Sequence, residues 1–261
     1  MTTISAIAEL SALENARDLD LEEARGIQSL MLPGDALRHG PVTISHEFQP
    51  VSEVGGDFLD YFSLADGNVG LYLGDVCGKG LPAALYAALA VGTLRGVHKS
   101  GQPPDNVLHM LNRRLTIRGN PRRYSAVQYA VFDPHARQMH IASAGMCGPY
   151  HISEDGCRAL ALSGLPPGLF PDATYDSAVL HLAPGDSVIF CTDGILEALN
   201  SRGESFGDER LVELCCAHRE ASGPQFLTQL FAAVADFAGL APQHDDMAAI
   251  VFHLSADSNA W

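Results

Sequence analysis

Positive charge is what this sequence has least of. Lysine and arginine together number 16 against 31 aspartates and glutamates, and Lys79 and Lys99 are the only lysines, so the formal net charge is −15. That balance argues against non-specific binding to nucleic acid or to an anionic membrane, since both are themselves negative. Its plainest consequence is solubility. Long apolar runs are missing too: the longest, Leu81 to Leu94, suits a core helix and is too short to span a bilayer. The opening MTTISAIAEL has neither a basic segment nor a long apolar core, so no secretory signal is expected. Six cysteines occur with no CxxC spacing, and Cys215 and Cys216 are adjacent. A zinc or disulfide framework is therefore not expected, and a reducing cytoplasm fits. Each cysteine reads as a small buried hydrophobe.

Several catalytic signatures are absent as well. GDVCGKG lacks the four-residue gap of a phosphate-binding loop and has Gly80 where Ser or Thr should hold Mg²⁺. Cys77 is not followed by a phosphate-cradling Cys-x5-Arg, because Ala83 stands at that place. No G-x-S-x-G elbow occurs.

What is present is a globular chain, 47% hydrophobic and long enough for one large core. The first segment reads as helix, with Asp20 and Glu23 as a capping box ahead of LEEARGIQSLMLP and Pro33-Gly34 as its end. Leu10, Leu13, Ala24, Ile27 and Met31 follow a seven-residue register broken by Arg17 and Asp20. This segment either dimerises or docks on its own core. From Val42 the period is two, through Ile44, His46 and Phe48, with His46 read as a packed residue. GGDFLDYFSL, a turn at Ala65–Asn68 and VGLYLGDV make a hairpin. Helices are expected at about Leu81–His98, Pro104–Arg118, Asp208–His218 and Pro224–Ala238. Six short strands fall between the second and third of these, MAAIVFHL is a last strand, and SADSNAW is a loose tail. Strands in runs and helices in pairs predict α+β architecture: two packed antiparallel sheets with helices on their outer faces.

Four places put an acid beside glycine or at the edge of an apolar run: Asp57, Asp75, Asp193 and the pair Asp245-Asp246. Each alone reads as a turn or cap residue. Together they are harder to dismiss, because a buried carboxylate is costly unless paired or holding a metal, and few basic residues lie beside them. An oxygen-rich set without Cys or His suits Mg²⁺ or Mn²⁺. Two such ions can activate a water and clamp a phosphate.

The set SEVGGDFLDYFSLADG, GDVCGKGLPAAL, GLFPDATYDSAVLHLAPGDSVIFCTDGILEALN, FGDERL and DDMAAIVF, in this order, closely resembles the metal-dependent PPM-type protein phosphatases, in their bacterial SpoIIE/RsbU-like branch. The resemblance spans about residues 22 to 254. It implies an αββα sandwich over residues 40–255, with residues 1–33 as a helical extension, and two Mn²⁺ or Mg²⁺ ions at one edge between the sheets. Asp75 matches the bridging ligand, with the carbonyl of Val76 beside it. Asp193 and Asp245 match the ligands of the second ion, and Asp57 the acid of the Gly-Gly-Asp motif, at or next to the metals. These four aspartates would act through metal-bound water. Asp60 and Asp246 fall to supporting roles, turned from their neighbours' face by strand alternation. The glycines around Asp75 are expected to expose it and Val76 to a metal.

Two departures stand out: Met146 in SAGMC, where relatives carry Asn-Ala-Gly-His, and Ala248, where they carry Thr. Neither removes a ligand. The implied activity is hydrolysis of phosphoserine or phosphothreonine on a STAS-type anti-sigma-factor antagonist. Rival readings are a low-activity regulatory binding module of the same fold and a small-molecule phosphohydrolase. No sensor domain is seen ahead of the catalytic unit, so control is expected through the N-terminal helix, as a homodimer contact, or through a regulatory activator protein.

Overall fold

Strand β4 (Val69–Val76) shows how the layers arise. Leu71 and Leu73 point into one core while Tyr72 and Val76 point into another, so both faces of the strand are buried. That is why its sequence reads as a nearly unbroken apolar run rather than an alternating one. The computed structural model describes residues 3–117 and 123–256, apart from the side chains of residues 3–10 and Lys99. The expected tail from residue 257 onward and Arg118 lie outside the described residues, as does the side chain of Leu10.

The elements run α1 (Thr3–Ser29), β1 (Ala36–His39), β2 (Val42–Gln49), β3 (Phe58–Ser63), β4, α2 (Leu81–Val97), α3 (Pro104–Thr116), β5 (Ser125–Asp133), β6 (Gln138–Ala144), β7 (Tyr150–Ser153) and β8 (Gly156–Ala159). Then follow β9 (Ser177–His181), β10 (Ser187–Cys191), α4 (Asp193–Leu196), α5 (Gly207–Ala217), α6 (Gly223–Ala238) and β11 (Met247–Leu254). The strands form two sheets, ordered β1-β2-β11-β10-β7-β8 and β3-β4-β5-β6-β9, with every pairing antiparallel.

Ile44, Leu71, Leu73, Phe132, Ile141, Phe190, Ile250 and Phe252 fill the space between the sheets. Helices α2 and α3 cover the five-stranded sheet, where Ala83, Ala87 and Ala90 let α2 lie close over Tyr72 and Tyr129. Helices α5 and α6 cover the six-stranded sheet through Leu211, Cys215, Phe226 and Leu230. The expected αββα sandwich is what the chain forms. No helix among the described residues is long and apolar enough to cross a membrane.

The helix at the start differs from the expectation. It runs unbroken from Thr3 to Ser29, so Asp20 and Glu23 lie inside it and cap nothing. A mid-helix Asp costs well under 1 kcal/mol relative to Ala, too little to break a stretch rich in Leu, Ala, Glu and Arg. Leu13 and Ile27 are exposed, whereas Met31, just past the helix, packs against the core beneath α2. Two short elements were not legible in the sequence: β1, which pairs along β2, and the single turn α4. His46 is packed as expected, its Nδ1 3.0 Å from the Tyr61 hydroxyl. The cysteines are less uniform than expected: Cys191 and Cys215 are buried, but Cys147 and Cys216 are exposed.

Candidate metal centre

Antiparallel register brings the acids together. β3 pairs with β4 through Phe58↔Gly74, and continuing that ladder by one residue sets Asp57 across from Asp75. In the other sheet β10 pairs with β11 through Cys191↔Ala249, so the residues just after β10 and just before β11 share one end. Asp193 opens α4 there, and Asp245-Asp246 precedes β11. The ends of both sheets thus meet at one edge of the sandwich.

Asp57 is almost fully buried and its carboxyl is hydrogen-bonded to that of Asp75. Burial first, then the charges of Asp75 and Asp246, hold the Asp57 carboxyl well above the usual carboxylate range. Burial and the charge of Asp193 push Asp75 up to about 7, with Asp245 and Asp246 adding to the rise. Asp193 is raised by burial, by Glu197 one helical turn on and by Asp245. One nearby cation is Lys79, whose Nζ lies 3.6 Å from Asp245 Oδ2 with both side chains more than a third exposed. A pair so open to water offsets little of the repulsion.

Asp75, Asp193 and Glu197 line a cavity of about 220 Å³, with Gly145, Met146 and Cys147 on its other wall. A larger cavity of about 550 Å³ opens at the other end of β10, around His151 and Asp186, and none of the candidate ligands line it. Chemistry rather than size selects the smaller one. Among the described residues no three acidic, histidine or cysteine side chains already stand around one point as a finished cage. The donor set nonetheless fits a hard cation. Two carboxyls in hydrogen-bond contact require a shared proton or a neighbouring positive charge, and the acids around them offer oxygen donors, with the Cys147 sulfur also on the cavity wall.

The frame behind these acids is specific. Asp246 spends both oxygens on backbone, accepting from Val51 N at 2.8 Å and Gly56 N at 2.6 Å. A Cβ at Gly55 would stand 2.5 Å from that carboxylate, and one at Gly56 would stand 2.9 Å from the Val76 carbonyl oxygen. This close approach is why the motif is Gly-Gly. Glycines nearer Asp75 do other work. Gly74 makes room for the Phe58 ring, and Gly80, at φ +67°, turns the chain into α2. Asp60 lies apart, bound by Arg95 Nε at 2.7 Å, the Tyr61 N–H and the Tyr72 hydroxyl.

Three participants were missed in the sequence. Thr192 Oγ1 donates to Asp57 Oδ2 at 2.8 Å and accepts from Ala248 N at 3.0 Å, which fixes the buried acid against the opposite sheet. Gln28, from α1, donates to Gly55 O at 2.7 Å and accepts from Gly55 N at 3.0 Å. Glu197 stands four residues after Asp193, a helical spacing hidden because α4 is a single turn. Of the two departures, Met146 lines the cavity and Ala248 lies wholly within the inter-sheet core.

The sequence profile of the family described as Stage II sporulation protein E (SpoIIE) matches residues 65–255. Protein IcfG of Synechocystis sp. is 27% identical over 231 residues, which cover 78% of this chain and 36% of that protein. Phosphoserine phosphatase RsbU of Bacillus subtilis is 26% identical over 207 residues, covering 77% of this chain and 62% of that protein. The chain therefore spans between a third and two thirds of the length of these relatives. Among solved structures, the SiaA-PP2C domain of Pseudomonas aeruginosa has a similar fold, with a TM-score of 0.82 at 24% identity over 93% of this chain and 99% of that one.

The raised carboxyls predict a pH dependence for chelator-treated protein. Asp75 titrates near 3.8 when unfolded and about 7 when folded, so between these values the native state holds a proton that the unfolded state has lost. Its contribution to stability is full below pH 4, falls as pH rises towards 7 and is lost above it. Asp57 and Asp193 shift in the same direction. The urea midpoint is expected to drop between pH 4.5 and 7.5, to drop less in Asp75→Asn, and to recover at pH 7.5 when Mg²⁺ is added. An equal drop in the variant would remove Asp75 from the coupled set.

Proposed function

The chain belongs to the SpoIIE family of PP2C-type phosphatase domains, and from that premise we propose that it is a metal-dependent serine/threonine protein phosphatase. In this reading residues 40–255 are the catalytic domain and residues 1–33 a control segment. The observation that carries the proposal is the hydrogen-bonded Asp57–Asp75 carboxyl pair, with the charges of Asp193 and Asp245 bearing on Asp75. Asp57, Asp75, the Val76 carbonyl, Asp193 and Asp245 are the groups that would hold two Mg²⁺ or Mn²⁺ ions. Such ions, when bound, lower the pKa of a water and neutralise charge developing on phosphoryl oxygens.

The chain's own groups set the rest. Thr192 fixes the rotamer of Asp57, and Gln28 with Asp246 holds the Gly55-Gly56 loop on which Asp57 stands. Arg123 donates to the Cys77 carbonyl, and Lys79 lies two residues further along the same loop; together they place positive charge on the loop that follows Asp75. Positive charge on that loop suits a phosphoryl dianion. Cys77 donates its backbone N–H to the Tyr124 carbonyl at 3.0 Å and does not line the cavity, which argues against a covalent phosphoenzyme at sulfur.

A phosphorylated side chain on a folded STAS-type protein is the substrate this reading favours. The similarity to a protein named phosphoserine phosphatase supports the phosphoserine class. A cytoplasmic location belongs to the same reading, and a regulatory activator protein remains an expected partner. A homodimer through α1 is supported by Leu13 and Leu19, both about two-thirds exposed, and by exposed Ile27 and Leu30.

Three outcomes are expected. Phosphate release should require Mg²⁺ or Mn²⁺ and stop with chelator, and Asp75→Asn and Asp193→Asn should fold yet lose turnover by orders of magnitude. Cys77→Ser should be nearly silent, and full activity in either folded Asn variant would overturn the metal assignment. Secondly, kcat/KM on a phosphorylated STAS protein should exceed that on its unfolded phosphopeptide by roughly tenfold or more, because contacts away from the phosphate add binding energy. Met146→His should alter that ratio without abolishing hydrolysis. Equal values on folded protein, phosphopeptide and phosphotyrosine peptide would instead favour a small-molecule phosphohydrolase, and no turnover on any would favour a binding module. Thirdly, sedimentation should show a dimer that Leu13→Glu/Ile27→Glu converts to monomer. This substitution keeps Gln28, which truncation at Pro33 would remove, and a monomeric parent chain would end the dimer reading.

A further inference from the structure

A second reactive pair lies away from the carboxylates. Cys157 is on β8, paired with β7 through Ile152, and is half-buried. Cys215 is on the buried face of α5, in the core between that helix and the six-stranded sheet, and Cys157 packs against the same core. Although 58 residues apart in sequence, the two thiols share one core, where β8 lies against α5. The contact is asymmetric. The neighbouring Cys157 sulfur and burial hold Cys215 protonated, while Cys215 lowers Cys157 below the ordinary thiol range. Cys157 also forms part of the wall of the 550 Å³ cavity, which gives a small oxidant a route to it. A reachable thiol that ionises readily, with a second thiol already against it, is the arrangement expected of a redox-sensitive cysteine and its resolving partner.

We propose that Cys157 and Cys215 form a reversible disulfide under peroxide, with Cys157 attacking first and Cys215 resolving. The Cys157 thiolate attacks one peroxide oxygen and the O–O bond breaks. Cys157 becomes a sulfenic acid, and the departing hydroxide takes up the thiol proton as water. The Cys215 sulfur then attacks the Cys157 sulfur, the S–O bond breaks, and hydroxide leaves with the Cys215 proton as a second water. Two thiols lose two electrons, hydrogen peroxide gains them, and a dithiol reductant reverses the exchange. The bond straps the β7–β8 hairpin to α5, two elements already joined where the Tyr150 hydroxyl meets the Asp208 carboxylate. Nothing in this proposal depends on the metal centre or on the substrate.

The test uses the full-length chain treated with a few equivalents of hydrogen peroxide, quenched by alkylation, digested without reductant and mapped by mass spectrometry. Tryptic cleavage leaves Cys157 with Cys147 in one peptide and Cys215 with Cys216 in another. The map is therefore made on Cys147→Ser/Cys216→Ser, which removes the two exposed thiols. The expected result is one cross-linked peptide pair, a fall from four free thiols to two, and full return with dithiothreitol. Fragment spectra of the unsubstituted chain should place the same link between 157 and 215, which keeps the test valid if the double variant misfolds. Sulfinic or sulfonic acid at Cys157 without a cross-link, a link from Cys215 to Cys191, or four unreacted thiols would each overturn the proposal.

Discussion

Carboxylates forced together repel, and this molecule is built around holding them there. Asp57 and Asp75 touch, Asp193, Asp245 and Asp246 bear on them, and exposed Lys79 supplies little relief. Left alone, such a cluster protonates or spreads apart. The fold prevents spreading because each acid stands at the end of a strand whose other residues are locked in a two-sheet core. The repulsion appears as carboxyls raised above their ordinary range. A divalent cation is the natural complement to a site in that condition.

The frame that resists the repulsion is made of backbone contacts as much as side chains. Gly55 and Gly56 bring a loop so close to Asp246 and the Val76 carbonyl that any side chain would collide. Gln28 satisfies both backbone groups of Gly55. Leaving either unpaired in that buried place would cost about 1–3 kcal/mol. Arg95 secures the same region from α2, donating to buried Asp60 and to the Met31 carbonyl just past α1. The end of α1 is thus wired to the loop that carries Asp57, while the rest of that helix shows apolar residues to solvent. A partner that gripped α1 would act on a helix already bound to the Gly55 loop that leads to Asp57.

Hydrolysis at such an edge and oxidation at Cys157 would lie towards opposite ends of β10. Strand β10 links them: Asp186, at the wall of the larger cavity, precedes it, and Thr192 and Asp193 follow it. Tyr150 and Asp208 join the β7–β8 hairpin to α5, so the region around the thiols is tied to the sheet that bears Asp193.

The sandwich, its order of elements and the aspartates of interest were legible in the sequence, for a local reason. Period-two alternation, glycine-aspartate turns and paired helical stripes are each written within ten or so residues, and a carboxylate beside glycine at a strand end is visible as a string. Helix α1 was misread at Asp20 because capping residues signal a break only where the chain has no better use for its helix. Thr192, Gln28 and Glu197 could not be read at all. Thr192 matters because it reaches Asp57, 135 residues away, and Gln28 because it reaches Gly55. The contact of Cys157 with Cys215 is of the same kind, since two cysteines without a spacing motif become a pair only when α5 is laid across β8. Sequence alone determined which groups were available and which elements would carry them. Tertiary structure decided which of them meet, because hydrogen bonds and charge repulsion act over a few ångströms of space, whatever the distance along the chain.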